Sequence, residues 1–339
     1  MKEINVEDAV GTVLVHDLTQ IIPGEYKGPR FKKGQVIAEK DIPVLLSMGK
    51  KRLYVVEKND KDVHEDEAAR RIAKAAAGPG IVMSEPSEGK IELFAESDGL
   101  LKINTGRLSD LLEQDEIMFA SIHGNRLVKA GDKLAGTRVI PLFVAEDIVK
   151  KAEEVCCPRH IIEIKKLHPL KIGVVTTGSE VYSGTIEDKF GPVLVKKFEA
   201  LGSMVIKQVF SDDDANMIAE CIKKLLEEGA EMVCVTGGMS VDPDDKTPSG
   251  IRAAGGQIVT YGAPVLPGAM FMLAYIDDVP VVGLPGCVMY SRVSIFDLIV
   301  PRLLAREKVS REDIKKLAQG GLCLNCQKCI YPNCGFGRG

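Results

Sequence analysis

Three times between residues 168 and 306 a largely apolar run ends in a polar, glycine-bearing loop, and a segment of helical periodicity follows. Leu170 to Thr176 is the first such run, and it ends in Thr176-Thr177-Gly178-Ser179-Glu180. Runs of this length without polar alternation fit strands buried on both faces, as in parallel sheets. Pro192 to Leu201 then places Leu194, Phe198 and Leu201 at helical spacing, with Gly202 just past the end. Val205 to Phe210 reads as the next strand. Met217 to Glu228 puts Ile218, Cys221, Ile222 and Leu225 on one face, with the Asp212–Asp214 run ahead as a cap and Gly229 behind. Glu231 to Thr236 and Pro280 to Leu284 read as third and fourth strands, the latter followed by a helix through about Leu304. Strand and helix alternating in this way predict an α/β domain over 168–306, an open, mostly parallel sheet with helices on both faces.

In such a sheet the carboxyl ends of the parallel strands share one edge, and ligands bind in the crevice there. Three loops are predicted to converge on that edge: Thr177-Gly178-Ser179-Glu180, Thr236-Gly237-Gly238-Met239-Ser240, and Gly283-Leu284-Pro285-Gly286. Glycine lets the backbone approach a ligand closely, and exposed N–H groups bind phosphate. One such loop can be no more than a tight turn, whereas three after three strands point to a site for a phosphate-bearing small molecule. Asp242-Pro243-Asp244-Asp245 follows the second loop. This acidic run can hold Mg²⁺, accept hydrogen bonds from an amino-substituted ring, or form a solvated turn before a helix near Thr247. Asp188, ahead of Gly191-Pro192, is either a ligand contact or a helix cap.

The N-terminal half reads as α+β and β-rich. Residues 1–60 carry an apolar stretch at Val10–Val15, breaks at Pro23, Gly24, Gly28, Pro29 and Gly34, a helix over Ile42–Met48 and a strand over Leu53–Glu57. Residues 61–155 are expected to form an accessory region. A helix over 61–77 ends at Gly78-Pro79-Gly80, strands cover Lys90–Glu96, Leu100–Asn104 and Val139–Val144, and a linking helix spans Asp147–Val155. His16 and Asp17 are a candidate polar pair at a strand end.

Taken in order, Thr-Thr-Gly-Ser-Glu, Asp188-x-x-Gly191-Pro192, Ser211-Asp212-Asp213, Thr-Gly-Gly-x-Ser, Asp242-x-Asp244-Asp245, Pro264-Val-x-x-Pro267-Gly268 and Gly283-Leu-Pro-Gly resemble the molybdopterin-binding domain family. That family includes molybdopterin adenylyltransferases, molybdopterin molybdotransferases, their fused eukaryotic form gephyrin, and the competence-damage-inducible proteins. The resemblance covers about 140 residues. It implies a loop edge that binds the pterin phosphate and ring, with Ser179, Gly237, Gly238, Ser240 and Asp245 where ligand contacts lie. Thr177, Gly178, Glu180, Asp188, Thr236, Asp242, Pro285 and Gly286 complete the candidate binding set, and Asp244 and Asp245 are the candidate catalytic pair. Gly283-Leu284-Pro285-Gly286-Cys287-Val288 departs from the molybdotransferase pattern, which continues Asn-Pro. Met239-Ser240 stands where adenylyltransferases commonly carry Thr-Gly. Gly11 to Asp17 is similar to an entry segment of molybdotransferases.

The resemblance implies a role in molybdenum cofactor biosynthesis, metal insertion or delivery, with ATP, molybdate and a recipient molybdoenzyme as candidate partners and a homo-oligomeric state. A non-catalytic carrier or sensor and a nucleotide pyrophosphatase of the competence-damage-inducible type are the alternatives. A formal net charge of −4 argues against nucleic acid. The absence of a signal-type N-terminus or an apolar run of membrane-spanning length predicts a cytoplasmic protein.

The last segment, 310–339, is a tail with chemistry of its own. Four of the nine cysteines, Cys323, Cys326, Cys329 and Cys334, have the spacing C-x₂-C-x₂-C-x₄-C. In a reducing cytosol this spacing points to an iron–sulfur cluster or zinc ahead of disulfides, with a metal-free tail as the alternative. The opening C-x₂-C-x₂-C step is that of bacterial ferredoxins. Cys221 and Cys234 fall at predicted core positions, and Cys287 sits just after the third loop.

Overall fold

The structure is a computed structural model that describes residues 2–22, 25–55, 62–240 and 242–338. The expected break at Pro23-Gly24, the end of the Leu53–Glu57 strand and the start of the helix expected from residue 61 lie outside the described residues. The chain divides into two compact units, one of Met1–Glu96, Asn104–Ile122 and Gly131–Glu163, the other of Ser97–Ile103, His123–Ala130 and Ile164–Gly339. The stretch 61–155 thus contributes to both.

In the first unit, Lys2–Asn5 pairs antiparallel with Arg52–Val55, and Leu18–Ile22 with Tyr26–Phe31. Val6, Leu14, Leu18, Phe31, Ile37 and Leu45 make a small core beneath these pairs. A four-stranded antiparallel sheet runs in the order Ile81–Met83, Lys90–Ala95, Lys133–Val139, Ile117–Ser121. The helix expected over 61–77 spans Glu65–Ala76 and buries Ala68, Ala69, Ile72, Ala73 and Ala76. Its Arg71 reaches Glu146 at 2.9 Å and Glu153 at 2.7 Å on the Glu146–Cys156 helix. In place of one strand over Val139–Val144, one strand ends at Val139 and a shorter one covers Phe143–Ala145.

The second unit holds the expected α/β domain. Its strands are β1 (Lys171–Thr177), β2 (Met204–Ser211), β3 (Met232–Thr236), β4 (Gln257–Tyr261), β5 (Met272–Ile276) and β6 (Val279–Leu284). Its helices are α1 (Ser179–Tyr182), α2 (Phe190–Ala200), α3 (Ala215–Glu227), α4 (Thr247–Ala253), α5 (Cys287–Tyr290), α6 (Ile295–Leu304) and α7 (Arg311–Lys316). The sheet order is β2-β1-β3-β6-β5-β4, parallel from β2 to β6 and antiparallel across β5 and β4.

Alternate residues of a strand point to opposite faces, so each buried strand feeds two cores. Ile172 and Val174 of β1, Cys234 of β3 and Val282 of β6 join Leu194, Phe198 and Phe296 from α2 and α6. Val175, Val233, Val235 and Val281 join Ile218, Ile222 and Leu225 of α3 and Ile251 of α4 on the other face. The apolar stripe read along Met217–Glu228 is the buried face of α3, and the Asp214 carboxylate caps it by accepting from the Asn216 and Met217 amides. Strands β4 and β5 are additions to the four expected. Asp277, with φ 53°, turns the two-residue loop that joins β5 to β6.

Candidate functional site

β1 is followed by β2 on one side of it and β3 on the other, so the chain reverses its winding between β1 and β3. That is the switch point at which open α/β sheets form a crevice at the carboxyl ends of their strands. All three glycine loops leave from there: Thr177-Gly178-Ser179 from β1, Gly237-Gly238 from β3, and Pro285-Gly286 from β6, the neighbour of β3.

The first two loops are locked together. Thr177 Oγ1 lies 3.2 Å from Thr247 Oγ1, and the Thr247 hydroxyl donates to the Gly237 carbonyl at 2.8 Å. A Cβ on Gly237, whose φ is +87°, would stand 2.4 Å from the Thr177 carbonyl oxygen. On Gly238, at φ +51°, it would meet the Thr247 and Thr177 hydroxyls at 3.0 and 3.2 Å. Only glycine holds this double left-handed turn against its neighbour. Gly283 plays a packing part, since a Cβ there would meet the Met239 sulfur at 2.6 Å. Tyr261 at the end of β4 donates to the Met239 and Ser240 carbonyls, both at 3.1 Å, and so braces the second loop from outside. Burial, and after it the Asp245 carboxylate, push the Tyr261 phenol above its ordinary range, so it remains a donor at neutral pH.

The candidate residues separate into struts and an accessible edge. Thr236 is completely buried and donates to Thr176 Oγ1 at 3.4 Å, while Thr177 is 4 % exposed. Both hydroxyls therefore face inward and support the loops. Asp188 is engaged as a cap: its carboxylate accepts from the Phe190 amide at 2.9 Å, the Gly191 amide at 3.0 Å and Gln208 Nε2 at 2.6 Å. Ser179 turns to the end of β2, with its hydroxyl 2.6 Å from Asp212 and its amide 3.0 Å from Asp213. The Ser179 bond, and next the Asp213 amide, hold the Asp212 carboxyl below its usual range. Gly178 and Gly286 have open space where a Cβ would point, and Ser240, Glu180, Asp242 and Asp244 are exposed, with Asp245 half-buried. Asp242 accepts from the Asp244 amide at 3.1 Å, which folds the acidic run into a turn.

Sequence reasoning missed Thr247, Tyr261 and Gln208 as supports, because their partners lie 10 to 70 residues away along the chain. Cys287 is half-buried, and burial pushes its thiol up, so it stays protonated at neutral pH. In the first unit, Asp17 accepts from the Lys33 amide at 2.7 Å, a structural turn contact. Burial, and then Lys50 and His64, lower the His16 imidazole.

Away from the loop edge, the tail is fastened to the same unit. The Cys323 amide donates to the Leu266 carbonyl and the Leu266 amide to the Gly321 carbonyl, both at 2.8 Å. The Tyr331 hydroxyl donates to the Asp297 carbonyl at 3.0 Å, and Arg126 reaches Asn333 at 2.7 Å. All four tail cysteines line one cavity of about 830 Å³. Among the described residues, no group of three or more His, Cys, Asp or Glu side chains is placed so as to hold a metal ion. Among the same residues no helix is long and apolar enough to cross a membrane.

Fold and loop edge together define a doubly wound α/β domain with three glycine loops at its switch point. Residues 173–305 match the profile of the family described as "Probable molybdopterin binding domain". Residues 3–57 match a domain of unknown function. Over 81 residues the chain is 37% identical to a protein of Archaeoglobus fulgidus, covering 24% of this chain and 35% of that one. It is 26% identical over 155 residues to a molybdopterin molybdenumtransferase of Staphylococcus aureus, covering 41% of this chain and 37% of the relative. A molybdopterin adenylyltransferase of Pyrococcus furiosus is 28% identical over 102 residues, 30% of this chain and 60% of the relative. The chain thus spans little more than a third of the first two relatives. A solved structure of a tungsten cofactor synthesizing protein from Pyrococcus furiosus aligns at 21% identity over 41% of this chain and 98% of that one, with a TM-score of 0.34.

Proposed function

We propose that the loop edge of residues 173–305 binds molybdopterin and that the chain acts in molybdenum cofactor biosynthesis, in metal insertion or delivery. The observation that carries this reading is the arrangement at the switch point. Two glycine loops, cross-braced through Thr177, Thr247 and Gly237, stand beside a third, and backbone at Gly178 and Gly286 is open for a ligand to approach. The cofactor's phosphate is held on backbone N–H groups of these loops, and Gly237, Gly238 and Ser240 form its floor. The fit is chemical as well as steric, because Asp242 and the half-buried Asp245 supply acceptors for an amino-substituted ring. In this reading Asp244 and Asp245 recruit Mg²⁺ with ATP or molybdate, and electrostatic positioning carries the reaction, since an oxyanion must approach an anionic ligand. The protein works in the cytoplasm as a homo-oligomer and hands its product to a molybdoenzyme. The tail cysteines hold zinc or an iron–sulfur cluster.

The test is one anaerobic incubation of the full chain with molybdopterin, Mg-ATP and molybdate, followed by mass analysis of the small molecule that stays bound. An adenylylated or metal-loaded product is the expected result and names the step. Unaltered molybdopterin on the protein turns the reading to a carrier or sensor. No retention overturns it and promotes a nucleotide pyrophosphatase. Similarity to a CinA-like protein of Gemmatimonas aurantiaca, 30% identical over 97 residues, supports that second reading.

A further inference from the structure

The hydroxyl that braces the second glycine loop comes from the far side of the sheet. β4 stands three places from β3, with β6 and β5 between them. At about 4.8 Å per strand, that is about 14 Å. β5 runs against β6 and β4 runs against β5, so β4 points the same way as β6 and β3. Its last residue, Tyr261, therefore stands on the edge from which the glycine loops leave β1, β3 and β6. There its hydroxyl shares one proton between two successive carbonyls, those of Met239 and Ser240, each at 3.1 Å.

Those contacts fix the orientation of one peptide. In a trans peptide the C=O and the N–H point in opposite directions. With the Met239 carbonyl turned to Tyr261, the Ser240 N–H is turned away from it, and the sheet order places β3 and β1 on the side away from β4. The Met239 side chain is anchored as well. It is 4 % exposed, and its sulfur lies 2.6 Å from where a Cβ on Gly283 of β6 would stand. A side chain seated on β6 and a carbonyl held from β4 oppose a flip of the peptide between Met239 and Ser240. Ser240 itself is exposed, so a ligand can reach it.

We propose that Tyr261 is a positioning residue for the ligand: by clamping the Met239 and Ser240 carbonyls, it aims the Ser240 N–H into the crevice as a donor to a phosphate oxygen. The proposal rests on the reading of the loop edge as a phosphate-binding site, and it names the residue that sets one of the donors. A backbone N–H binds an anion well only when its direction is fixed beforehand, since the charge-assisted bond is directional. Gly237 and Gly238 have that support from Thr177 and Thr247, on the β1 side of the loop. Beyond Gly238 the loop turns outward, and Tyr261 supplies the support there. The antiparallel pair β5 and β4 thus has a task at the site, because it carries this one hydroxyl to the loop edge.

The experiment titrates the isotope-labelled full chain with inorganic phosphate and follows the amide resonances of Gly178, Ser240 and Gly286. The Ser240 amide of the parent should shift saturably. In Tyr261→Phe, which keeps the ring, the Ser240 shift should vanish and phosphate should bind about tenfold more weakly, as for one lost hydrogen bond to a charged group. Gly178 and Gly286 should respond as before, and the melting temperature should stay within about 4 °C of the parent's. Tyr54→Phe, at an exposed tyrosine of the other unit, should behave as the parent does. An unmoved Ser240 amide in the parent, or an equal shift in Tyr261→Phe, overturns the proposal. So does a loss at all three amides together with a lower melting temperature, which would make Tyr261 a folding residue only. Molybdopterin retention is measured on the same samples. A parent that answers phosphate at Ser240 without retaining molybdopterin sinks the pterin reading and leaves Tyr261 in its role.

Discussion

At the scale of single residues, the three loops make opposite demands on glycine. Gly237 combines φ +87° with a Cβ position 2.4 Å from the Thr177 carbonyl. Gly237→Ala should destabilise the domain by about 1–3 kcal/mol and abolish ligand retention with it. Gly286 has ordinary backbone angles, φ −51° and ψ −28°, and open space beyond it. Gly286→Ala should leave stability within about 0.5 kcal/mol of the parent while weakening molybdopterin retention, because the added methyl occupies the ligand's approach. Urea denaturation alongside a retention assay separates the two, and unchanged retention in Gly286→Ala would remove the third loop from the site. Thr247→Val keeps the shape but strands the Gly237 carbonyl and the Thr177 hydroxyl, at a cost of about 1–3 kcal/mol. The glycines were legible in the sequence because their spacing after apolar runs is local. Thr247 and Tyr261 were not, since a hydroxyl reads as a loop residue until the fold brings its partner to it. The inward turn of Thr236 and the capture of Ser179 by Asp212 and Asp213 are likewise set by strand register, which no local pattern shows.

Among elements, the parallel strands were legible for the same reason that they are buried: helices cover both faces, so their residues are apolar without interruption. The antiparallel strands β4 and β5 escaped notice. β4 is half-exposed and polar at Gln257 and Thr260, and β5 is joined to β6 by only Asp277 and Asp278, so the pair reads as one apolar stretch broken by two acids. Helix α7 carries a pH-dependent attachment. Ser310 and Asp313 form a capping box at its start, and Asp313 meets Arg302 of α6 at 2.9 Å. Partial burial raises the Asp313 carboxyl, but the bonds from Ser310 and Arg302 outweigh it and leave the group well below its usual range. Glu307 behaves alike, with burial overcome by Lys102 and Arg302. A carboxyl whose folded pKa is depressed stabilises the fold above its unfolded value, and that stability is lost as pH falls through the gap. α7 should therefore loosen as pH drops below about 3.8, the ordinary value for Asp, and hydrogen exchange at 311–316 should rise there first. Asp313→Asn should show faster exchange at neutral pH and a weaker further response to acid. An unchanged acid response in that variant would place the titrating group elsewhere.

At the scale of the whole molecule, sequence order and structural unit do not coincide, and this has a consequence for any shortened chain. The second unit includes Ser97–Ile103 and His123–Ala130, segments that lie far upstream of its α/β domain. Their strands Gly99–Ile103 and Arg126–Val128 pair antiparallel, and Lys102 from the first of them sits 2.9 Å from the buried carboxylate of Glu307. Arg302 shares that carboxylate at the same distance, and Lys165 at 3.1 Å. A charge so buried depends on its full set of partners, and removing one hydrogen-bonded cation costs about 1.5–3 kcal/mol. A chain beginning at residue 164 keeps every glycine loop and every tail cysteine, yet it lacks Lys102, Arg126 and both strands. It should melt below the full-length protein, by several degrees at about 2–4 °C per kcal/mol for a domain of this size. Lys102→Met in the full chain should reproduce part of that drop with ligand retention intact, since Lys102 is remote from β1, β3 and β6 at their carboxyl ends. Equal melting temperatures for the shortened and full-length chains would show instead that the α/β domain is energetically self-sufficient and that the upstream strands merely lie on it.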